Sequence, residues 1–289
     1  MKRLFIFFLL LIFLLAGCST SEPANIAATT LPVYEFTIRL CEGTGLSVTR
    51  LVTEPVSCLH DYSLNVRQVK AAEAAGHIVI SGAGLEDFME DILHNKSVID
   101  ASQGISILEC EHEHSHDHDH GHHHETDSHI WLSPENAIAM ARNICEGLSA
   151  AYPQFSPLFA RNLMALVQEL SDLQAYGEET LSQLSTRDLI TFHDGFSYFA
   201  DTFDLHILEA VEEESGSEAS AQELKHLIGI VQNHNLPAIF TEVNGSCSAA
   251  DVIGRETGAA IYSLDMAMGG DSYFTAMYHN INTIKEAMG

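Results

Sequence analysis

The chain has 289 residues, 40 of them acidic against 13 basic, for a net charge of −27 with histidine neutral. That balance excludes nucleic acid as a partner, because a polyanion needs clustered Lys and Arg to displace its counterions. An acidic surface instead concentrates cations, and the sequence offers 17 histidines and six cysteines as softer ligands.

At the N-terminus, Lys2 and Arg3 precede an uninterrupted apolar run of twelve residues, Leu4 to Leu15. This matches the apolar region of a secretory signal and falls short of the ~20 residues a spanning helix needs. The run ends in Leu15-Ala16-Gly17-Cys18, which resembles the lipobox of bacterial lipoproteins. The resemblance implies cleavage before Cys18 and acylation of Cys18, with several acyl chains holding the protein on the extracytoplasmic face of the cell membrane. Residues 1–17 are read as the signal and 18–25 as an acylated tether. Removing 1–17 takes away two bases and no acid, which leaves 11 bases against 40 acids, or −29. About 270 residues remain, enough for two lobes. Cys41, Cys58, Cys110, Cys145 and Cys247 are odd in number with no C-x-x-C pair, so no disulfide is predicted.

Short apolar strands then alternate with helical patterns, which predicts βα units and parallel sheets. Ile26 to Thr30 reads as a strand and Pro32 to Cys41 as a helix with proline in its first turn. Leu46 to Val52 is a strand, Val66 to Ala75 a helix ended by Gly76, and His77 to Ile80 an apolar, central strand. Leu85 to His94 reads as a helix and Gly104 to Leu108 as a short strand. Ser133-Pro134-Glu135 opens another helix, with Ser as N-cap, Pro at the first position and an acid in the first turn. Ser156-Pro157 repeats that signature. Leu163, Leu166, Leu170, Leu173, Leu181 and Leu184 follow at helical steps, predicting one helix of about 40 Å. A helix of that length bridges two lobes. Further strands are predicted at Asp188–Phe192, Leu205–Val211, Ala238–Thr241 and Ala259–Leu264. Helices are predicted at Gly195–Phe203, Ser220–Asn233, Ala249–Glu256 and Tyr273–Met288, and Glu212 to Ser217 reads as an acidic loop. The predicted organisation is an N-terminal lobe over 26–155, a linking helix over 156–186 and a C-terminal lobe over 187–289.

One segment breaks this rhythm. Between Cys110 and His129 lie His112, His114, His116, His118, His120, His122, His123 and His124, interleaved with Glu and Asp. With so few apolar side chains the loop over 111–128 is predicted to be solvated. Imidazoles among carboxylates suit Zn²⁺, Ni²⁺ and Cu²⁺, so the run marks a protein that meets transition metal.

Four other groups stand at junctions of strands and helices. His60 follows the second strand, His129 precedes the helix at Ser133-Pro134, His193 follows Asp188–Phe192, and Asp265 follows Ala259–Leu264. Ligands of open α/β sheets bind outside the carboxyl ends of strands, and three imidazoles with one carboxylate make a four-coordinate set suited to Zn²⁺. Spacing alone separates these only modestly from His77, His94, His206, His226, His234 and His279, which are read as ordinary side chains.

Several segments together resemble the metal-binding lipoproteins of zinc and manganese ABC importers. They are Leu59-His60-Asp61-Tyr62-Ser63, Ser81-Gly82-Ala83-Gly84-Leu85-Glu86, Asp127-Ser128-His129-Ile130-Trp131-Leu132-Ser133-Pro134, Phe192-His193-Asp194-Gly195-Phe196-Ser197-Tyr198-Phe199, Phe240-Thr241-Glu242 and Glu256-Thr257-Gly258-Ala259. The similarity runs from about Ala27 to the C-terminus, in the family's order. It implies an α/β fold of two lobes joined by one rigid helix, with metal in the cleft, bound by His60, His129, His193 and Asp265. Manganese-type relatives carry a carboxylate where this chain has His193, so Zn²⁺ is the expected cargo and Mn²⁺ the weaker fit. Where relatives read Asp-Pro-Leu-Gly, this chain reads Asp265-Met266-Ala267-Met268-Gly269, and Glu242 is the alternative fourth ligand. Asp61 and Asp194 are read as supporting charges.

The implied function is capture of zinc by a monomeric, lipid-anchored, non-enzymatic binding protein and delivery to an ABC permease. A zinc hydrolase is one alternative, since His112-Glu113-His114-Ser115-His116 formally matches H-E-x-x-H. That motif works on a helix, and this copy lies in the low-complexity run. A surface adhesin with a structural metal is the other. The histidine run is read as a weak collector, a sensor of zinc sufficiency or a polar loop with no transport role, separate in each case from the cleft site.

Overall fold

The computed structural model describes residues 25–54, 56, 59, 62–108, 126–211, 219–243, 245 and 248–289. Cys18, Cys58, His60, Asp61, Cys110, Cys247, the eight histidines from His112 to His124 and the acidic segment 212–217 lie outside the described residues.

Two four-stranded parallel sheets form the framework. The first contains β1 (Ile26–Ala28), β2 (Val48–Arg50), β3 (His77–Ile80) and β4 (Ser97–Asp100), in the order β2-β1-β3-β4. The second contains β5 (Asp188–Thr191), β6 (His206–Ala210), β7 (Ala238–Glu242) and β8 (Ala260–Leu264), in the order β6-β5-β7-β8. The two sheets therefore share one topology, and in each the strand order reverses beside its first strand. The central strands β1 and β7 are buried along their whole length, as expected where helices cover both faces.

The helices follow local signals. In the first lobe they are α1 (Leu31–Leu40), α2 (Val66–Ala74), α3 (Glu90–Leu93) and α4 (Pro134–Ala151). Pro32 lies in the first turn of α1, and an Asn65–Gln68 capping box opens α2. The Ser133 side chain accepts from Asn136 N at the start of α4. In the second lobe α6 (Ser197–Thr202), α7 (Ala221–His234), α8 (Ser248–Thr257) and α9 (Tyr273–Met288) intervene between or follow the strands.

Three expectations are corrected. Leu85–His94 is not one helix but a 3₁₀ turn at Asp87–Met89 and the single turn of α3. Glu86, at φ −98° and ψ 23°, and Met89, at φ −128° and ψ 20°, both leave the helical region and interrupt it, while the Glu86 carboxylate accepts from Ser81 N, Gly82 N and Thr29 Oγ1. The fourth strand is Ser97–Asp100, whereas Gly104–Leu108 makes no ladder. Gly104 has φ +75°, and Ile105, Ile107 and Leu108 spend their apolar surface packing on the main core. Ser156 does not cap its helix. A 3₁₀ turn at Pro153–Phe155 leads straight in, Ser156 is already helical at φ −50°, and its Oγ donates to Ser149 O.

That helix, α5 (Ser156–Thr180), has 25 residues and a length of about 37 Å at 1.5 Å per residue. It ends six residues before the predicted boundary, with Leu181 at its C-cap. Leu166, Leu170 and Leu173 are buried along one stripe. Its first half is tied to the N-terminal lobe by Asn162, whose Nδ2 donates to Leu40 O and Glu42 O, and by an Arg39–Glu169 ion pair. Its second half meets α9 through Tyr176 Oη, which donates to Asn282 Oδ1. Gly177 lets it press on the C-terminal lobe, where a Cβ would stand 2.3 Å from Phe203.

The largest apolar cluster runs through both lobes. Trp131 and Tyr273, fully buried at the junction, are cross-bonded. Trp131 Nε1 donates to Met266 O at 2.8 Å, and Tyr273 Oη donates to Trp131 O at 2.8 Å. The apolar core shared between the lobes opposes free hinge motion.

Candidate metal centre

In the second lobe, the carboxyl ends of β5 and β7 flank the point where the strand order reverses, the usual ligand crevice of an open parallel sheet. His193 lies two residues beyond β5, and Glu242 is the last residue of β7. The backbone of His193 is held by Thr191 Oγ1, which donates to His193 O at 3.0 Å. The neighbouring Phe192 N donates to Phe240 O on β7.

From the first lobe, His129 comes to the same place. It sits just before the 3₁₀ turn Ile130–Leu132 that leads into α4. Asp127 Oδ1 accepts from His129 N at 2.9 Å and lies 2.9 Å from His129 Nδ1. The short Asx loop thereby orients the ring that follows it. Trp131 packs its edge against the His129 ring with centroids 5.3 Å apart.

The two imidazoles cross at 86°, with Nε2 to Nε2 at 3.5 Å. Each has a carboxylate at its other nitrogen: Asp127 Oδ1 at 2.9 Å from His129 Nδ1, and Glu242 Oε1 at 3.3 Å from His193 Nδ1. A carboxylate beside Nδ1 draws the ring proton to that nitrogen, which presents the Nε2 lone pair for coordination. With the proton of each ring on Nδ1, both Nε2 atoms face each other as acceptors at 3.5 Å, an arrangement that a cation bound to both relieves. Two nitrogens at 2.0–2.1 Å from a tetrahedral metal stand roughly 3.4 Å apart, close to the separation in this structure.

Charge supports the same reading. Asp127, His129 and Glu242 are 2%, 2% and 5% exposed. Among the described residues, the buried Asp127 Oδ2 and Ser128 Oγ have no hydrogen-bond partner. A buried carboxylate oxygen without a donor is costly unless positive charge is supplied nearby.

Space between Gly195 and the pair is exhausted. A Cβ on Gly195 would stand 2.6 Å from Met266 Cε, 2.7 Å from His193 Cδ2 and 2.8 Å from His129 Nδ1. Gly195 is thus the residue that lets a methionine and both imidazoles meet.

The other expected site residues are placed as follows. Asp265 directly follows β8, is half-buried, and its Oδ1 accepts from Ala267 N at 2.8 Å. Its backbone is clamped by the buried Asn280, which accepts from Asp265 N and donates to Asp265 O, both at 2.7 Å. Among the described residues no three of His, Cys, Asp and Glu form a ready metal cluster, so the structure does not bring Asp265 into one with the pair; it is the next residue, Met266, that packs beside both rings at Gly195. Glu242 stands at Nδ1 of His193, on the ring nitrogen away from His129. The histidines read as ordinary are occupied elsewhere: His206 and His234 both pair with Asp188, and His226 with Glu209. Sequence reasoning passed over Asp127 as an orienting group. Its signal was there, an Asp two residues before a histidine at a turn. Cys41 and Cys145 are free and buried, and burial pushes the Cys41 thiol up to about 12.

The family model for the periplasmic zinc-uptake complex component A, ZnuA, matches residues 26–287. The zinc-binding lipoprotein AdcA of Streptococcus pneumoniae (strain ATCC BAA-255 / R6) is 31% identical over 295 residues. The match covers 94% of this chain, which spans 58% of that relative's length. A putative metal-binding protein of Treponema pallidum (strain Nichols) is 30% identical over 296 residues, with 96% of this chain and 93% of that one covered. Among solved structures, the Zn(II)-bound ZnuA-like domain of Streptococcus pneumoniae AdcA is similar at 26% identity and a TM-score of 0.76. That alignment covers 92% of this chain and 98% of the other.

Proposed function

The chain belongs to the ZnuA family of periplasmic zinc-uptake components, and on that premise we propose that it captures Zn²⁺ outside the cytoplasm and hands it to the permease of an ABC-type importer. The observation that carries this reading is the His129–His193 pair, one imidazole from each lobe, with Nε2 atoms 3.5 Å apart and a carboxylate behind each ring. His60 supplies the third imidazole and Asp265 the fourth ligand. Glu242 orients His193 in place of coordinating.

A nitrogen-rich set favours Zn²⁺ over Mn²⁺, which suits oxygen ligands better. Four protein ligands would leave no open position for a catalytic water. The matched family is a component of an uptake complex, and neither the hydrolase nor the adhesin alternative draws support from it. Among the described residues no helix is long and apolar enough to cross a membrane. Acylation of Cys18 keeps the binding protein at the membrane beside its permease. The histidines His112 to His124 act as a weak collector outside the cleft. One chain carries one zinc in the cleft, and the core shared by both lobes keeps that site preformed.

The test is calorimetric titration of zinc into chelator-stripped protein. His193→Ala or His60→Ala should abolish one high-affinity zinc per chain. Wild-type stoichiometry and affinity in both variants would sink the reading.

A further inference from the structure

Tyr198 lies on α6 in the C-terminal lobe, five residues after His193, and is 4% exposed. Its hydroxyl reaches into the other lobe. Leu108 N donates to Tyr198 Oη at 2.9 Å, and Tyr198 Oη donates to Asp127 O at 3.1 Å. Asp127 N in turn donates to Leu108 O at 3.0 Å. Both backbone polar groups of Asp127 are therefore held, one by Leu108 and the other by Tyr198. With its Cα pinned, the Asp127 carboxylate stays aimed at His129 N and His129 Nδ1.

We propose that Tyr198 is a positioning residue for the metal pair, fastening the Asp127–His129 loop of one lobe to the helix that follows His193 in the other. The inference rests on the reading of His129 and His193 as zinc ligands. Each histidine is carried by a different lobe, so the separation of the two Nε2 atoms depends on a link between lobes near the site. Trp131 and Tyr273 hold the lobes together further along the chain, after His129. Tyr198 acts on the other side, before His129, through the residue that sets its tautomer and ring plane. Leu108 and Asp127 are bonded to each other and to Tyr198, so the loop that carries His129 is held at its start.

The experiment uses the full chain with Tyr198→Phe, Asp127→Asn, the double variant and His193→Ala. Zinc affinity is read by competition with a chromophoric chelator, and the Tm of the zinc-free protein by calorimetry. Tyr198→Phe should weaken zinc by roughly 2-fold to 30-fold, and Asp127→Asn by about 10-fold to 100-fold. The double variant should be little weaker than Asp127→Asn alone, because both changes act through one carboxylate. A second readout is the Nδ1–H proton resonance of His129 in the zinc-free protein. It should be sharp in wild type and exchange-broadened in Tyr198→Phe. An affinity within twofold of wild type in Tyr198→Phe, even with a lowered Tm, would show that the hydroxyl serves the core alone and overturn the proposal. Factors that multiply in the double variant would overturn it too. Retention of zinc by His193→Ala overturns the ligand reading itself. Loss of zinc there with wild-type affinity in Tyr198→Phe overturns only the role of Tyr198.

Discussion

Gly195→Ala isolates the geometry of the metal pair from its chemistry, because it adds one methyl group and removes no ligand. Gly195 is not among the left-handed glycines, so the backbone accepts alanine without strain. The new Cβ would meet Met266 Cε at 2.6 Å, His193 Cδ2 at 2.7 Å and His129 Nδ1 at 2.8 Å. Ordinary contacts lie near 3.5–4.0 Å, so each of these atoms must retreat by about 0.7–0.9 Å to reach even the lower limit. Met266 is flexible and can turn aside. His129 is bonded through Nδ1 to Asp127 and His193 is backed by Glu242, so moving either ring breaks its orientation. Metal sites tolerate about 0.2 Å in ligand distance, well below the displacement required. Loss of a supporting contact already costs about 10-fold to 100-fold in metal affinity, and Gly195→Ala should reach or exceed that range. Overpacking should cost about 1–3 kcal/mol of stability in addition. Competition titration with a chelator measures the first effect and urea unfolding of the zinc-free protein the second. A variant destabilised as expected that still bound zinc with wild-type affinity would refute the placement of both histidines at one metal.

Three further outcomes are expected. Glu242→Gln should weaken zinc by about 10-fold to 100-fold while one zinc per chain still binds, as for a group that orients a ligand; X-ray absorption showing one oxygen ligand fewer in the variant would make Glu242 a ligand instead. Glu86 is buried, and desolvation together with the nearby Asp100 pushes its carboxyl from 4.5 up to about 7 against the pull of three donors. Its folded value is raised, so its contribution to stability is full below about 4.5 and is lost as pH rises through about 7. At 1.36 kcal/mol per pH unit this amounts to at most about 3 kcal/mol. Urea unfolding at pH 5 and pH 8 should show wild type losing ground against Glu86→Gln at the higher pH, and an unchanged difference would contradict it. Deleting Glu111 to Glu125 should lower the total zinc bound and leave the cleft affinity intact, as counted by titration. Loss of the high-affinity site would mean that the run and the cleft are one site.

The first lobe shows where local signals mislead. Leu85 to His94 has a helical apolar pattern, yet Glu86 and Met89, at ψ 23° and 20°, leave the helical region and split it into a 3₁₀ turn and one α turn. Ile105, Ile107 and Leu108 have a strand's composition, yet the edge position in the sheet goes to Ser97–Asp100, whose parallel register with β3 is continuous over four residues. In the second case tertiary pairing outweighed a propensity worth a fraction of a kcal/mol per residue. The histidines show the same limit. His193 follows β5 and His206 opens β6, so each adjoins a strand. His193 stands at a carboxyl end facing the other lobe, and His206 pairs with Asp188 at the opposite end of the sheet.

The alternation of short apolar strands with capped helices was enough, by itself, to determine parallel sheets, the stripe of Leu166, Leu170 and Leu173 on one long helix, and the start of α4 at Ser133-Pro134. These depend on backbone preferences and periodicities that act over a few residues. The meeting of His129 with His193, 64 positions apart, was decided only by the packing of two lobes on one continuous core. Asp127 sets one face of the His129 ring locally, two residues away. Which nitrogen of His193 faces His129, and which faces Glu242, follows from where distant elements bring their side chains, and no local pattern encodes that.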